Sequence, residues 1–396
     1  LYVTFDHPIL KLAGLERVLE AWRLREPRQT GIEYLLLDEA QFIPDWAIWV
    51  KHQVDFSKHR KIVFTGSATP LLESDQESGV GRWHTMKLTT LSFFEYLKIR
   101  GQDLPELPSL TSLVQLRSWD PRQFALTAEL ASPYPGHFHE YLLRGGFPQT
   151  ALVESLTQAQ RLLREDTIDK VLKRDMTALF GVRRVLDLEN LFLYLCLHDG
   201  AILNLAEVSD ELGMKRPTVQ SFLELLESVH LIYRVLPFGY GKEVLRGRQK
   251  IYLADPAIAP AVMLKGKESL DDPLLLGTAT ESSIFKHLYA RFYSQNVRFT
   301  YWRGKKDLEV DLVGEVGGTA VPFEVKYRAQ HTGARDLRGL LNFCQDRKIQ
   351  RGYVITRALH DFGPLQGLQD ETLSIMKVPA PLLCYWMGQA ELDDAT

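Results

Sequence analysis

The chain has 396 residues, enough for two or three domains, and is 45% hydrophobic, 24% charged and 10% aromatic. This composition excludes a disordered, collagen-like or coiled-coil chain, because each of those needs a biased composition. The net charge of -3 at pH 7 gives no sign that the protein as a whole binds nucleic acid or membrane.

The sequence has no apolar stretch of about 18 residues or more, so neither a membrane span nor a membrane partner is predicted. Its three cysteines are widely spaced and form neither a disulfide framework nor a Cys-x-x-Cys metal site. This usage fits a reducing compartment, and a cytoplasmic location is predicted. The chain opens on apolar, strand-like residues without an initiator Met, so we expect the first domain to begin upstream.

Residues 1–100 alternate strand and helix patterns. Apolar runs predict strands over 1–5, 34–37 and 61–67, and helical spacing predicts helices over 10–24 and 46–54. The second strand is wholly apolar, which is typical of a strand buried on both faces. Strands that alternate with helices predict an α/β domain with a parallel sheet.

The remainder of the chain changes pattern twice. Residues 101–135 are rich in Pro, Gln and Ser, which predicts a linker or an irregular excursion, and 137–230 are mainly helical. The helical part contains a winged-helix pattern. It consists of two helices on either side of Gly213, over 205–212 and 215–229, followed by a strand over 231–235. Further elements are predicted as a helix over 281–293, strands over 297–302, 308–313 and 320–326, a helix near 333–345 and a strand over 350–356.

Two acids, Asp38 and Glu39, follow the strand predicted over 34–37. In P-loop nucleotidases the first acid of such a pair helps to hold Mg²⁺ through water, and the second is a general base for the attacking water. The alternative is that both acids cap the next helix. The next strand ends near Thr65 and Ser67, whose side chains would lie beside the acids and could contact the γ-phosphate or the water. A simple strand-ending turn is the alternative for these residues.

Four strings of the sequence stand out together: LLLDEAQFIPDW, KIVFTGSATPLL, GVGRWHTMKLTTLSFFEYL and YLLRGGFPQTAL. They resemble a bacterial and archaeal group of AAA+ (P-loop) ATPases, over residues 1 to about 357. The resemblance implies that Asp38 and Glu39 are the Walker B acids and that Thr65 and Ser67 stand at the sensor-1 position. It implies ATP and Mg²⁺ as cofactors, with Asp38 near the metal, and Asp38, Glu39, Ser67 and Arg82 near the nucleotide. Arg82 would be an arginine finger or sensor arginine, and an exposed surface arginine is the alternative.

The phosphate-binding motif of that family, Gly-x-x-x-x-Gly-Lys-Ser/Thr, occurs nowhere in the sequence. Its backbone amides and lysine cradle the β- and γ-phosphates. In the family this loop lies a few tens of residues before the position of Leu1, so we expect it upstream of the chain. A degenerate ATPase is the alternative, but such a protein would be expected to lose its Walker B acids as well.

Four residues suggest a second site near the C-terminus: Glu281, Asp311, Glu324 and Lys326. Glu324 and Lys326 share one face of a strand because strand side chains alternate, and Asp311 on a neighbouring antiparallel strand can face them. Asp311 and Glu324, with the helical Glu281, would bind Mg²⁺, and Lys326 would orient a water or stabilise the transition state. The alternative is a cross-strand salt bridge or a solvated face.

The order Asp, twelve residues, Glu-x-Lys matches the PD-(D/E)XK signature of the restriction-endonuclease-like fold, which the family also carries. Residues 281–357 contain 14 Lys and Arg against 8 Asp and Glu, so this region is basic. Aromatic and basic residues alternate at its centre, as in surfaces that contact phosphates and bases. These residues are Tyr301, Trp302, Arg303, Lys305 and Lys306. A core aromatic cluster beside a charged hairpin tip is the alternative.

The winged-helix pattern would place Lys215, Arg216 and Thr218 where DNA groove contacts are made. However, residues 201–248 hold six basic and six acidic residues, a balance unlike that of strong DNA binders. A spacer between ATPase and effector domains is the interpretation that this balance favours.

We therefore predict an α/β protein with four regions. These are an AAA+ core without its P-loop (1–100), a linker and helical region (101–200), a winged helix (201–250) and a restriction-endonuclease-like domain (251–396). The leading interpretation is an AAA+ ATPase that couples ATP binding or hydrolysis to a nuclease-like domain with DNA, or else RNA, as its partner. A homo-oligomer is expected, because an arginine finger acts on a neighbour's nucleotide. The alternative is a nucleotide-switched regulatory or scaffold protein whose nuclease-like domain is inert and binds a protein.

Overall fold

The computed structural model describes residues 1–26, 31–66, 82–124, 134–241, 244, 247–330, 332–368, 370 and 372–395. The chain divides into two compact units. The first unit consists of Leu1–Leu88, Ala178–Gly181 and Glu224–Leu231, and the second of Thr89–Thr177, Val182–Leu223 and Ile232–Thr396. In the described part of the chain, no helix combines the length and the apolar character that a membrane crossing requires.

The first unit contains a parallel sheet with the strand order β1-β2-β3, which confirms the parallel sheet predicted for the N-terminal region. The strands are β1 (Tyr2–Thr4), β2 (Glu33–Asp38) and β3 (Arg60–Phe64). Helix α1 (Pro8–Arg25) follows β1, and helix α2 (Trp46–Phe56) connects β2 to β3. All carboxyl ends of the strands therefore lie at one edge of the sheet, where ligands of open α/β sheets bind.

Among the described residues, one face of this sheet is buried and the other is largely exposed, which contradicts the prediction that β2 is buried on both faces. Leu35 and Leu37 are buried in a core shared with α1 and α2. The alternating residues Tyr34 and Leu36 are 60% and 43% exposed, and Val63 on β3 is 56% exposed. Side chains alternate between the faces of a strand, and within the described residues both helices of the sheet contribute to the same core.

The second unit is built on a mixed sheet with the strand order β10-β11-β9-β8-β7-β6-β4-β5. The strands are β4 (Ile232–Pro237), β5 (Lys250–Leu253), β6 (Arg298–Arg303), β7 (Glu309–Val316), β8 (Thr319–Lys326), β9 (Arg351–Thr356), β10 (Gly363–Pro364) and β11 (Ser374–Pro379). Strands β6, β7 and β8 form an antiparallel meander, and β9 joins β8 in parallel. Because β4 and β5 belong to this sheet, the boundary predicted at residue 250 falls inside it.

Further α-helices precede, separate or follow these strands. They are α3 (Phe93–Ile99), α4 (Tyr134–Arg144), α5 (Pro148–Leu152), α6 (Leu156–Leu162), α7 (Met176–Phe180), α8 (Val185–Leu197), α9 (Leu205–Glu211), α10 (Arg216–Ser228), α11 (Ile258–Met263), α12 (Pro273–Phe292), α13 (Arg338–Asp346) and α14 (Ala380–Ala395). Between α6 and α7 the chain winds as π-helix. Helices α9 and α10 flank Gly213, whose positive φ of 63° suits a tight turn, and β4 pairs antiparallel with β5 after them.

The segment that follows α3 is packed rather than a free linker, in the part of it that the structure describes. Leu107, Leu110, Leu113 and Leu116 are buried in the core that also contains the inner residues of the large sheet. The Pro-, Gln- and Ser-rich composition predicted irregular backbone, and the backbone is indeed irregular or 3₁₀ there. Its regularly recurring leucines are what bind it to the core.

Helix α12 begins eight residues before the start predicted from the sequence. Asp272 caps it, since its carboxylate accepts hydrogen bonds from the backbone N–H groups of Leu274 and Leu275, and Pro273 occupies the first turn. Asp followed by Pro is an N-terminal helix signal. Glu281 therefore lies in the middle of a long helix and does not open it.

Candidate functional site

The first candidate site lies at the carboxyl edge of the parallel sheet. Leu37 of β2 pairs with Phe64 of β3, so the next residues, Asp38 and Thr65, are neighbours. The Thr65 hydroxyl donates to Asp38 Oδ1 at 2.5 Å and accepts from the Glu39 backbone N–H at 3.4 Å. The Tyr2 hydroxyl donates to Asp38 Oδ2 at 3.0 Å. Neighbouring parallel strands thus bring the two acids and Thr65 together, and Tyr2 is a further partner that the sequence pattern does not predict.

The hydroxyl groups around Asp38 favour its carboxylate form. The hydrogen bond from Thr65, aided by that from Tyr2, holds the pKa of Asp38 below its ordinary value against the opposing effect of burial. An ionised carboxylate with hydroxyl neighbours is the type of oxygen donor that Mg²⁺ and its bound waters prefer. The Asp38 site therefore fits a hydrated magnesium ion.

Glu39 leaves the strand in the left-handed backbone conformation, with φ of 56° and ψ of 43°. Its carboxylate accepts a hydrogen bond from the Gln41 amide. A non-glycine residue seldom adopts this conformation, which turns the chain sharply after β2. Because the backbone turns at Glu39, its side chain does not continue the alternating pattern of β2. The carboxylates of Asp38 and Glu39 therefore have different surroundings.

Ser67 and Arg82 are the other two residues predicted for this site. Ser67 lies outside the described residues. Arg82 forms an ion pair with Asp55 of α2, with Nε 2.9 Å from Oδ1. Asp55 lies near the C-terminal end of α2, whereas Asp38 and Glu39 lie before its N-terminal end. The ion pair with Asp55 therefore does not place Arg82 beside the two acids. The arginine-finger role of Arg82 stays a prediction.

The second candidate site surrounds Lys250, at the start of β5. Its ammonium lies 2.8 Å from Glu281 Oε1, 3.0 Å from Glu309 Oε1 and 3.3 Å from Asp311 Oδ1. Its side chain is only 2% exposed. Burial disfavours the charged amine, but Glu281 and the other anionic neighbours outweigh it and raise the pKa of Lys250 well above its ordinary value. Breaking such a buried cluster by removing one partner costs about 3–5 kcal/mol.

Glu324 and Lys326 lie beside this cluster. The Lys326 ammonium is 2.5 Å from Glu324 Oε1, and the Asp311 carboxylate accepts from the backbone N–H of Val325, between them, at 2.8 Å. Burial, with Asp311 adding to it, raises the pKa of Glu324 to about 8 even though Lys326 favours the charged form. The structure thus gathers Glu281, Asp311, Glu324 and Lys326 at one place.

Helix α12 is tied to this site by further buried contacts. The Tyr252 hydroxyl donates to Glu281 Oε1 at 2.7 Å, and Ser282 donates to Asp199 Oδ2 at 2.7 Å. Burial raises the pKa of Glu281, as does neighbouring Asp311, and burial raises that of Asp199 to about 7. Within the residues that the structure describes, no three His, Cys, Asp or Glu side chains are disposed to hold a metal ion.

Lys250 and Glu309 belong to this site without having been predicted from the sequence. Glu309 had a signal, since it lies two residues before Asp311 on one strand and so shares its face. Lys250 had a weaker signal, a lysine that begins an otherwise apolar strand. Nothing in the local pattern indicates that this lysine meets acids from a helix and a strand far along the chain.

The aromatic and basic surface predicted around Tyr301 is partly wrong. Tyr301 is buried and donates from its hydroxyl to the backbone carbonyl of Arg248, and the Trp302 ring packs on that of Phe343 with centroids 5.3 Å apart. Both rings contact the protein interior, because β6 lies inside the sheet. Lys305 and Lys306 are exposed at the hairpin tip, and Lys215 and Arg216 are exposed at the start of α10.

Three family models match successive parts of the chain. Residues 1–97 match a family described as AAA domain, and residues 136–269 and 276–375 match two domains of unknown function, DUF8612 and DUF4143. Uncharacterized proteins of Mycobacterium tuberculosis and Mycobacterium bovis are each 25% identical over 374 residues, covering 92% of this chain and 73% of the relative. An AAA domain typically uses ATP and Mg²⁺. The matches support an AAA-type ATPase family for this chain.

Proposed function

We propose that the protein is an ATPase in which Asp38 helps to hold Mg²⁺ through water and Glu39 accepts the proton of the attacking water. The observation that supports this most is the Asp38 carboxylate at the carboxyl edge of a parallel sheet, held ionised by the Thr65 hydroxyl. The bound magnesium ion would neutralise charge on the phosphates. Thr65 would orient Asp38, and the turn at Glu39 would direct the general base away from the metal-binding carboxylate.

The phosphate-binding loop of this site is proposed to lie N-terminal to Leu1. In the described sheet β3 is a terminal strand, and Tyr34, Leu36 and Val63 expose one face. Parallel sheets are usually covered on both faces. A further strand beside β3, with a helix across the exposed face, would bring backbone amides to the edge where Asp38 and Thr65 lie.

Glu39→Gln tests the proposed base. In the protein with its natural upstream residues, we expect this variant to bind a fluorescent ATP analogue and to lose steady-state phosphate release, because an amide cannot accept the proton. Glu20→Gln, on the exposed side of α1, is the matched control and should keep wild-type turnover. Hydrolysis at the wild-type rate by the Glu39 variant would place the base elsewhere.

Arg82 is proposed to act on a neighbouring subunit's nucleotide in a homo-oligomer. Its pairing with Asp55 gives a way to separate this role from a structural one. Arg82→Ala should lower ATP turnover, whereas Asp55→Ala, which breaks the same pair but leaves the guanidinium, should not. Equal losses of ATP turnover in the two variants would mean that turnover depends on the ion pair and that Arg82 does not act as an arginine finger. Light scattering with and without ATP would report the assembly.

The second unit is proposed to bind DNA through its basic region, with ATP binding or hydrolysis altering that binding. The excess of Lys and Arg over residues 281–357 and the exposed Lys305 and Lys306 support this. DNA anisotropy titrations should show an affinity that falls steeply with salt, because phosphate contacts release counterions. Lys305→Glu with Lys306→Glu should weaken binding, and the exposed pair Lys265→Glu with Lys267→Glu should not. A parallel titration with RNA would show which nucleic acid is preferred.

One observation favours the second candidate function, a nucleotide-switched scaffold whose nuclease-like unit is inert. A buried lysine, Lys250, lies among the carboxylates that would otherwise bind metal. Such a unit would bind a partner protein and would not cut nucleic acid. Salt-independent or absent DNA binding in the titration above would support this alternative.

A further inference from the structure

The surroundings of Lys250 are those of a cation site. Three carboxylates from two separate elements, Glu281 on α12 and Glu309 and Asp311 on β7, supply oxygen atoms 2.8–3.3 Å from one ammonium. The ammonium is almost completely buried, and the Tyr252 hydroxyl donates to Oε1 of Glu281, the same oxygen that Lys250 contacts. A buried ammonium is tolerated only where anionic groups surround it, so this pocket is shaped around positive charge.

A separate feature indicates that the pocket has more donor capacity than the lysine uses. Glu324 is buried beside Asp311, and its Oε1 contacts Lys326, but its buried Oε2 has no hydrogen-bond partner. Buried carboxylate oxygens are nearly always satisfied, so an unpartnered one calls for an explanation such as an ion. An ammonium has only three protons to donate, whereas a divalent cation accepts six or more oxygen ligands.

We propose that the Lys250 ammonium takes the place of a divalent cation and thereby closes this site to Mg²⁺ and Mn²⁺. Metal ions of this kind lie about 2.0–2.2 Å from their oxygen ligands, so no such ion fits between the carboxylates while the ammonium lies among them. With Lys250 present, no three His, Cys, Asp or Glu side chains of the described residues are disposed to hold a metal ion; once the ammonium is removed, Glu281, Asp311 and Glu324 can close around a divalent cation. The inference concerns the second unit alone and does not depend on ATP hydrolysis by the first.

The closed site has a chemical consequence. A lysine ammonium balances the charge of the carboxylates, but it does not generate a metal-bound hydroxide as a divalent ion does. The natural protein therefore retains the arrangement of a nuclease-like site without the metal that would activate water.

Binding of Mn²⁺ to the purified chain without nucleotide tests the proposal, with the free ion followed by electron paramagnetic resonance. All variants carry Asp38→Asn, so that the first unit adds no metal site. The chain with Lys250 should show no saturable binding. Lys250→Met, which keeps the bulk and removes the charge, should bind one Mn²⁺ per chain, and adding Asp311→Asn should abolish that binding. Lys377→Met, which removes a largely buried ammonium that pairs with Asp361 away from this cluster, is the matched control and should gain none.

If Lys250→Met is unstable, thermal unfolding provides a second measurement of Mn²⁺ binding. Mn²⁺ should raise the melting temperature of Lys250→Met and leave that of the chain with Lys250 unchanged, since only a ligand that binds the folded state stabilises it. If Lys250→Met does not fold, Lys250→Met with Glu309→Gln reduces the repulsion and keeps the three proposed ligands. Failure of every folded Lys250 variant to bind Mn²⁺ would overturn the proposal. So would stoichiometric binding by the chain with Lys250 that Asp311→Asn abolishes.

Discussion

The hydroxyl of Thr65 orients both acids of the first site. It donates to the Asp38 carboxylate and accepts from the Glu39 amide, so a single side chain fixes the carboxylate at the end of β2 and the backbone turn that follows. Its own backbone is held as well, because its N–H donates to the Leu37 carbonyl and its carbonyl accepts from Ala40 N–H. The geometry of both acids therefore depends on a residue that carries no charge.

Thr65→Val should reduce ATP turnover without unfolding the protein. Valine keeps the shape of the side chain but removes a hydrogen bond to a charged group, worth about 1.5–3 kcal/mol, so a decrease of about tenfold or more is expected. Phosphate release and circular dichroism measured together would separate activity from folding. Ser57→Ala removes a hydroxyl that donates to Gln53 at the end of α2, and turnover of this variant should stay at the wild-type level.

The sequence pattern predicted which site residues meet when they lie on adjacent strands, but not when they lie on distant elements. Asp38 beside Thr65 follows from two parallel strands that end at the same edge, so strand prediction alone was sufficient. Asp311 beside Glu324 follows in the same way from a hairpin. Lys250 joins the acids only because β5 lies across the sheet from the meander, and no local periodicity carries that information.

At the scale of elements, α14 places a carboxylate close to one at the start of α3. Glu391 of α14 is largely buried, and Glu95 in the first turn of α3 adds a like charge. Burial first, and then Glu95, raise the pKa of Glu391 to about 7. Glu95 itself accepts hydrogen bonds from the backbone N–H and hydroxyl of Ser92, so it is held in the capping position of α3. Contact between these two helices therefore brings two acids together.

The stability of the second unit should fall as the pH rises from about 4.5 to about 7. Glu391 has a raised pKa in the folded state, so its contribution is complete below the pKa of the unfolded chain and is lost as the pH rises through the folded value. One pKa unit corresponds to about 1.4 kcal/mol, which puts the loss at a few kcal/mol. Urea unfolding at pH 4.5, 6 and 8 would show a smaller decline in Glu391→Gln than in wild type. The exposed Glu154→Gln should follow wild type, and an unchanged decline in the Glu391 variant would contradict the assignment.

Most long elements could be predicted from sequence, and the errors have physical causes. Helix α1 and strands β2, β3 and β8 agree with their apolar patterns to within a few residues. The start of α12 was missed because helical periodicity was read without its Asp272 cap and Pro273. The wholly apolar run of β2 predicts two buried faces, but an apolar composition does not determine which neighbours cover a strand.

At the scale of the whole molecule, one buried ion pair unites distant segments of the second unit. Asp255 Oδ2 accepts hydrogen bonds from the Thr90 hydroxyl at 2.7 Å and the Gly146 N–H at 2.9 Å, and lies 3.6 Å from the Lys286 ammonium. Lys286 also donates to the Leu91 carbonyl and the Tyr141 hydroxyl, both at 2.6 Å. Two of the sequence strings that carry the family resemblance, LTTLSFFEYL and YLLRGGFPQTAL, meet here. Both strings therefore contribute to the packing of the second unit.

Asp255→Ala should destabilise the second unit by about 3–5 kcal/mol, because it leaves the Lys286 charge buried without its anion. Thermal or urea unfolding would measure this loss. Asp307→Ala removes an exposed partner of Arg303 and should change stability by no more than about 1 kcal/mol. Similar small losses in both variants would show that the buried pair is not what holds these segments together.

The exposed face of the β1–β3 sheet has a practical consequence for handling the protein. Tyr2, Tyr34, Leu36 and Val63 present apolar surface on adjacent strands, and a flat strand surface of this kind promotes self-association. Preparations in which nothing covers this face should aggregate as concentration rises, even when every buried core is intact. A lysine at position 63, which would lie two residues from Lys61 on the same face, is the substitution most suited to keep such preparations in solution.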